Sequence, residues 1–228
     1  QPHTLAAGLL AAFVGFASSF AVVLRGLTAA GASPAQAASG LMALAVAMGL
    51  CGILLSLRTR MPVSVAWSTP GAALLASSGA IAGGFPVAVG AFLASALLVV
   101  LAGWWKPLGR WVAAIPATLA SAMLAGVLFG LCLAPVRAVA QMPGPALAVI
   151  AAWAIAGRLH RLLAVPAAVI VAFGLILAMP GAPIMAGWPV PVPVMPQFTV
   201  QALIGTAIPL FLVTMASQNI PGLATLGL

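Results

Sequence analysis

Long apolar runs dominate this sequence, and most of them end in a short turn that contains glycine, proline or a basic residue. A helix needs about 20 apolar residues to cross the roughly 30 Å hydrocarbon core of a bilayer, and most of the runs are that long. With 64% hydrophobic and 4% charged residues, the chain has too little polar surface for a water-soluble domain. The sequence therefore predicts an all-α polytopic membrane protein.

The runs predict about eight membrane segments. They cover residues 4–30, 34–57, 62–80, 85–104, 110–133, 144–156, 162–179 and 198–228. Residues 181–197 differ because prolines recur there at Pro-x-Pro spacing, which favours extended backbone. We predict a first repeat at 1–180 (segments 1–7), a structured proline-rich linker packed on the protein at 181–197, and an eighth segment at 198–228 that starts a second repeat. Pro209 and Pro221 predict kinks in the eighth segment.

The third segment is not typical of one continuous membrane helix. Residues 62–67 favour extended backbone, because they include a proline, two β-branched valines and a tryptophan. Ser68-Thr69-Pro70 is typical of a helix start, with a hydroxyl cap and a proline in the first turn, where a missing N–H costs nothing. We therefore predict a short strand followed by a half-helix from Pro70 to about Gly79.

This broken segment places a helix start inside the membrane. If Arg60 marks the membrane surface, seven extended residues advance at most about 23 Å, and the half-helix covers roughly 15 Å more. Free N–H groups and a partial positive charge near Thr69 would then face the membrane interior. Many transporters hold anionic substrates at such helix ends. A kinked helix that only packs is the alternative.

The charges predict an orientation. The chain has eight Lys and Arg and no Asp or Glu, for a net charge of +8. Such a charge would suggest nucleic acid as the partner of a soluble protein, but these cations lie in short loops, so we expect no nucleic-acid partner. Alternating passes put six of them on one side and two, Arg25 and Arg137, on the other. The positive-inside rule then predicts a cytoplasmic N-terminus in a multi-pass protein.

Polar residues within the apolar runs are the candidate ligand groups. Ser217-Gln218-Asn219 lies near the centre of the eighth run, and Ser18 lies in the first. Helix–helix hydrogen bonding is the alternative role for the amides, and bonding to its own helix is the alternative for Ser18. Phe16-Ala17-Ser18-Ser19 is similar to Met215-Ala216-Ser217-Gln218, a hint of an inverted repeat. No nucleophile–base set, metal-ligand cluster or phosphate loop is present, so we predict no enzyme activity, no metal and no cofactor.

Two stretches, 63–75 and 214–222, resemble the signature sequences of the benzoate:proton symporter (BenE) family of bacterial inner-membrane carriers, and Ala32-Ser33-Pro34-Ala35-Gln36 fits as well. The resemblance covers the whole chain. It implies the fold of uracil permeases and sulfate-permease-type carriers: about fourteen helices in two inverted repeats of seven, divided into a core and a gate domain. This chain would hold only about the first eight.

The resemblance also implies a substrate site at the broken third helix, with contributions from the first and eighth. Gln218 occupies the place where uracil permeases carry a glutamate, which puts proton coupling at that position in doubt. Together, the residues and the resemblance give these substrate-binding candidates: Ser18, Trp67, Ser68, Thr69, Gly71, Ala72, Gln218 and Asn219.

The leading hypothesis is secondary active import of an aromatic carboxylate, benzoate first, by proton symport across the bacterial inner membrane. The expected partners are the carboxylate, protons and the lipid bilayer, and a second copy in a homodimer is a further candidate. One alternative is an anion exchanger or channel-like anion carrier of the sulfate-permease type. A non-transporting membrane scaffold subunit is the other.

Overall fold

The computed structural model describes residues 2–61, 63, 65–113, 134–179 and 189–219, together with isolated positions between 114 and 133. The side chains of residues 2–7, 10, 11, 18, 112, 113, 218 and 219 lie outside this description. The described helices are α1 Pro2–Ala29, α2 Pro34–Thr59, α3 Thr69–Ser78, α4 Phe85–Trp104, α5 Lys106–Ala113, α6 Ala134–Gln141, α7 Pro143–Leu159, α8 Ala164–Ala178 and α9, residues 200–219.

Five stretches of the described chain are long and apolar enough to cross a membrane. They are Ala12–Ala29, Pro34–Thr59, Phe85–Trp104, Arg161–Ala178 and Val200–Ser217. Helix α7 is apolar but has 17 residues. The prediction of an all-α polytopic membrane protein is therefore confirmed. The predicted fifth segment, residues 110–133, lies largely outside the described residues.

The chain divides into two compact units. The first contains residues 1–21 and 130–188, and the second contains residues 22–129 and 189–228, so α1 contributes to both. In the first unit, α7 and α8 form a hairpin through His160 and the 3-10 turn Arg161–Leu163. Gly157 faces the side chain of Ala164 across this hairpin, where a Cβ would lie 3.3 Å from the Ala164 methyl.

The first helix start in the second unit follows from local sequence. Ser33 caps α2 by accepting a hydrogen bond from the Gln36 N–H at 3.3 Å, while the Gln36 side-chain oxygen accepts from the Ser33 N–H at 2.9 Å. This reciprocal pair is a capping box, with Pro34 in the first turn. The helix ends at Thr59, and its C-cap residue Arg60 has a left-handed φ of 55°.

The core of the second unit joins α1, α2, the segment before α3, α3 itself and α4. Its buried side chains belong to Val23, Leu27, Ala30, Ala32, Ala37, Trp67, Ala72, Phe85 and Ala88. Alanine is the commonest of them, and small residues let helix backbones approach closely in membrane bundles. This close packing positions the broken segment.

The described part of the proline-rich segment, residues 189–199, packs against α2 and α4. The Val192 N–H donates to the Ser39 hydroxyl at 2.9 Å, and the Gln197 N–H donates to the Pro86 carbonyl at 2.9 Å. Gly90 faces the Gln197 carbonyl so closely that no side chain would fit there. Residues 181–188 of the predicted linker lie outside the described residues.

Helix α9 is distorted where the sequence predicts a kink. A π-helical turn, Leu203–Ala207, comes just before Pro209, which has no N–H to continue the helical hydrogen bonding. A second π-helical turn covers Met215–Asn219. The prediction for Pro221 falls outside the described residues.

The predicted short strand before α3 is wrong within the described chain. The described residues between 61 and 68 are not helical, but none of them pairs with a second strand. A strand requires a neighbour that exchanges backbone hydrogen bonds with it. Here the backbone uses a side chain instead: the Val63 N–H donates to the Ser56 hydroxyl at 3.0 Å.

Candidate functional site at the start of the broken helix

The broken third segment is confirmed. Helix α3 begins at Thr69 and ends at Ser78, so its 10 residues span about 15 Å, half of a bilayer core. Ser68 has extended backbone, with φ −80° and ψ 93°, and its hydroxyl accepts a hydrogen bond from the Gly71 N–H at 3.1 Å. Pro70 lies in the first turn, as the sequence predicts.

Two neighbouring helices hold the first turn of α3. On one side, Gly26 of α1 lies against Ala72, where a Cβ on Gly26 would be 2.5 Å from the Ala72 carbonyl oxygen. On the other side, Leu210 of α9 lies against Gly71, where a Cβ would be 2.8 Å from a Leu210 methyl carbon. Glycine at both positions therefore allows this close approach.

A hydrogen bond joins α9 directly to the cap of α3. The Thr214 hydroxyl donates to the Ser68 hydroxyl oxygen at 3.1 Å, across 146 residues of sequence. Thr214 was not among the predicted site residues. Thr214 lies four residues before Gln218, within the stretch 214–222, and residues four apart lie on the same face of a helix. This spacing could have identified it from the sequence.

The expectation of free N–H groups at this helix start is wrong for the described conformation. The Thr69 N–H donates to the Trp67 carbonyl at 3.1 Å, the Gly71 N–H donates to Ser68, and Pro70 has no N–H. The groups left for a ligand are hydroxyls. Ser68 accepts two hydrogen bonds, so its own proton remains to be donated, and the Thr69 hydroxyl has no partner within the described chain.

The structure places the other predicted residues as follows. Trp67 is buried in the core with 8% exposure, and Gly71 and Ala72 are buried, whereas Ser68 and Thr69 are half-buried. Trp67, Gly71 and Ala72 thus have packing roles, and the two hydroxyl residues are the accessible ones.

The remaining candidates lie elsewhere in the fold. Ser18 lies in the part of α1 that belongs to the first unit, and Gln218 and Asn219 lie in the last π-helical turn of α9. The side chains of all three are outside the described part of the chain. The Ser217 hydroxyl donates to the Val213 carbonyl at 2.6 Å, so it bonds to its own helix.

The site has no side-chain carboxylate of its own, because the chain contains no Asp or Glu. Its electrostatics come from hydroxyl dipoles and from the α3 macrodipole, equivalent to about half a positive charge at the N-terminus. No group of three or more His, Cys, Asp or Glu residues that could hold a metal occurs among the described residues. The arrangement can therefore hydrogen-bond an anionic or polar group and favour negative charge.

Comparison with known proteins decides the family. Residues 1–227 match the family described as "Benzoate membrane transport protein". The chain belongs to this benzoate membrane transport family. It is 39% identical to the "Inner membrane protein YdcO" of Escherichia coli over 233 residues, covering 99% of this chain and 58% of that protein. It is 28% identical to the "Benzoate membrane transport protein" of Acinetobacter baylyi over 234 residues, covering 97% of this chain and 57% of that protein.

The description of the matched family names membrane transport. The chain spans less than two thirds of the length of both curated relatives. No solved structure matches it.

Proposed function

We propose that this chain contributes the substrate-binding part of a secondary active transporter that imports an aromatic carboxylate by proton symport. Benzoate is the leading candidate for this carboxylate. The observation that carries the proposal is the half-helix α3, whose start presents the hydroxyls of Ser68 and Thr69 beside α9. Family membership and the name of the Acinetobacter relative support the substrate class.

The carboxylate would bind at the start of α3 through hydroxyls. The Thr69 hydroxyl and the remaining Ser68 proton donate to its oxygens, and the helix macrodipole favours its charge. Because Ser68 also accepts from Thr214, any movement of α9 away from α3 would change the donors that the ligand meets. This coupling gives the site a route to alternating access.

The other predicted site residues complete the proposal. Ser18 on the first segment and Gln218 and Asn219 on the eighth remain proposed substrate-binding residues, while Trp67, Gly71 and Ala72 would shape the wall of the site at the start of α3. We propose two inverted repeats of seven segments, with residues 1–180 as the first, 181–197 as the linker and 198–228 as the start of the second. We also propose a cytoplasmic N-terminus, from the distribution of Lys and Arg, and a homodimer as the assembly.

Uptake of labelled benzoate into proteoliposomes tests the proposal. We expect uptake to increase with an inward proton gradient, and Thr69→Val to weaken apparent benzoate affinity by about tenfold to a hundredfold, the effect of one hydrogen bond to a charged group. The matched control is Ser77→Ala at the other end of α3, whose hydroxyl donates to the Leu74 carbonyl and should leave uptake unchanged.

The outcomes separate the hypotheses. A rate of benzoate uptake that does not change with the proton gradient would exclude proton symport. Current carried by inorganic anions without benzoate binding would replace the proposal with a channel-like or exchange function. Unchanged affinity in Thr69→Val, with lower stability, would leave the hydroxyl only a packing role.

A further inference from the structure

The short helix α5 folds back against the end of α4. It follows Trp105, whose backbone is extended, and begins directly after the candidate membrane span Phe85–Trp104. A Cβ on Gly109 would lie 2.7 Å from the Ala102 carbonyl oxygen, so glycine allows the two helices to touch. Leu108 packs into the cluster formed by Ala102 and Phe211. The inner face of α5 is therefore fixed to the second unit.

Aromatic and cationic side chains occur together on the outer face of α5 and in the two residues just before it, Trp104 and Trp105. Trp104, Trp105 and Trp111 are 85%, 61% and 78% exposed. Lys106 and Arg110 are also exposed, and their i, i+4 spacing puts them side by side on one face, close enough to approach a single phosphate group. Neither cation can pair with a side-chain carboxylate from residues 1–228, because they include no Asp or Glu.

We propose that this face, defined by Trp104, Trp105, Lys106, Arg110 and Trp111, binds the headgroups of anionic phospholipids. Tryptophan favours the headgroup level of a bilayer, and the face lies at the end of a candidate span, where headgroups are found. Lysine and arginine next to a membrane attract anionic lipids. The lipid phosphate supplies the negative charge that the chain does not.

Lipid titration of the purified protein in neutral nanodiscs tests this proposal, with retained lipid counted by native mass spectrometry. We expect phosphatidylglycerol to bind in preference to phosphatidylcholine. The variant Lys106→Gln/Arg110→Gln should weaken phosphatidylglycerol binding by roughly fivefold per cation, about 25-fold in all. The matched control Arg137→Gln/Arg158→Gln removes the same charge from exposed positions that do not belong to this face and should retain the preference.

Three results would overturn the proposal. An equal loss in both double variants would show that net charge, not this face, attracts the lipid. Binding of inorganic phosphate alone with the same affinity would show a free-anion site. No preference for phosphatidylglycerol in the unaltered protein would show that no selective lipid site exists.

A second measurement starts from the unaltered protein and uses none of the charge variants, so it does not depend on their folding. Tryptophan fluorescence should be quenched more by brominated phosphatidylglycerol than by brominated phosphatidylcholine at equal mole fraction. The selective part of the quenching should disappear when Trp104, Trp105 and Trp111 are replaced by phenylalanine. Equal quenching by the two lipids would contradict the proposal.

Discussion

The hydrogen bond between Thr214 and Ser68 predicts a measurable coupling between α9 and the start of α3. The two changes are Ser68→Ala and Thr214→Val, made singly and together. Ser68→Ala removes the cap that the Gly71 N–H uses and also the acceptor for Thr214, whereas Thr214→Val removes only the donor with little change in shape.

The magnitudes follow from these contacts. Loss of a serine cap costs about 0.5–2 kcal/mol, and loss of one hydrogen bond between half-buried hydroxyls costs about 0.5–1.5 kcal/mol. Both single variants lose the same interhelical bond, so their sum counts it twice. We expect the double variant to be more stable than the sum of the two single effects predicts, by about 1 kcal/mol.

Unfolding in mixed micelles, titrated with denaturing detergent and followed by circular dichroism, measures the four free energies of the cycle. A parallel cycle combines Ser68→Ala with Thr28→Val as the control. The Thr28 hydroxyl donates to the Leu24 carbonyl in its own helix, so that pair should be additive within about 0.5 kcal/mol. Additivity in the Ser68–Thr214 cycle as well would refute the reasoning that this bond joins the two helices.

Two further predictions concern the packing around the site. Gly26→Ala places a methyl group 2.5 Å from the Ala72 carbonyl oxygen and should lower the free energy of unfolding by about 1–3 kcal/mol. The control Gly49→Ala, where a Cβ has nothing within 4 Å, should not lower it. Equal effects of the two substitutions in the same unfolding assay would refute the close approach of Gly26 to Ala72. Ser39→Ala leaves the Val192 N–H without its acceptor, so it should lower the free energy of unfolding by about 1–3 kcal/mol and speed proteolysis within residues 189–199. An unchanged cleavage rate would show that this contact does not anchor the segment.

The helix starts could be predicted because capping depends on residues close together in the chain. Ser33 and Gln36 satisfy each other three positions apart, and Ser68 and Gly71 have the same spacing. A hydroxyl residue followed by proline was therefore nearly sufficient to predict where α2 and α3 begin. The helix distortion before Pro209 was predictable for the same reason, since a proline affects only the preceding turn.

The detailed chemistry of the site could not be predicted, because it depends on contacts between distant parts of the chain. No local pattern indicates that Thr214 reaches Ser68, or that Gly26 touches Ala72. The hydrogen bonds made by the N–H groups at the start of α3 could not be predicted from local sequence either. A helix start has unsatisfied donors in general, but here the Trp67 carbonyl, just before the cap residue, accepts a hydrogen bond from one of them.

The two π-helical turns of α9 have a common position relative to proline. Leu203–Ala207 ends two residues before Pro209, and Met215–Asn219 ends two residues before Pro221 in the sequence. A proline clashes with the carbonyl four residues earlier, and a widened turn relieves that clash by adding one residue to the turn. Proline thus explains the first of these π-helical turns, the one that precedes Pro209. Because an added residue rotates the following part of a helix by about 100°, the π-helical turn before Pro209 helps to set the face of α9 from which Thr214 reaches Ser68.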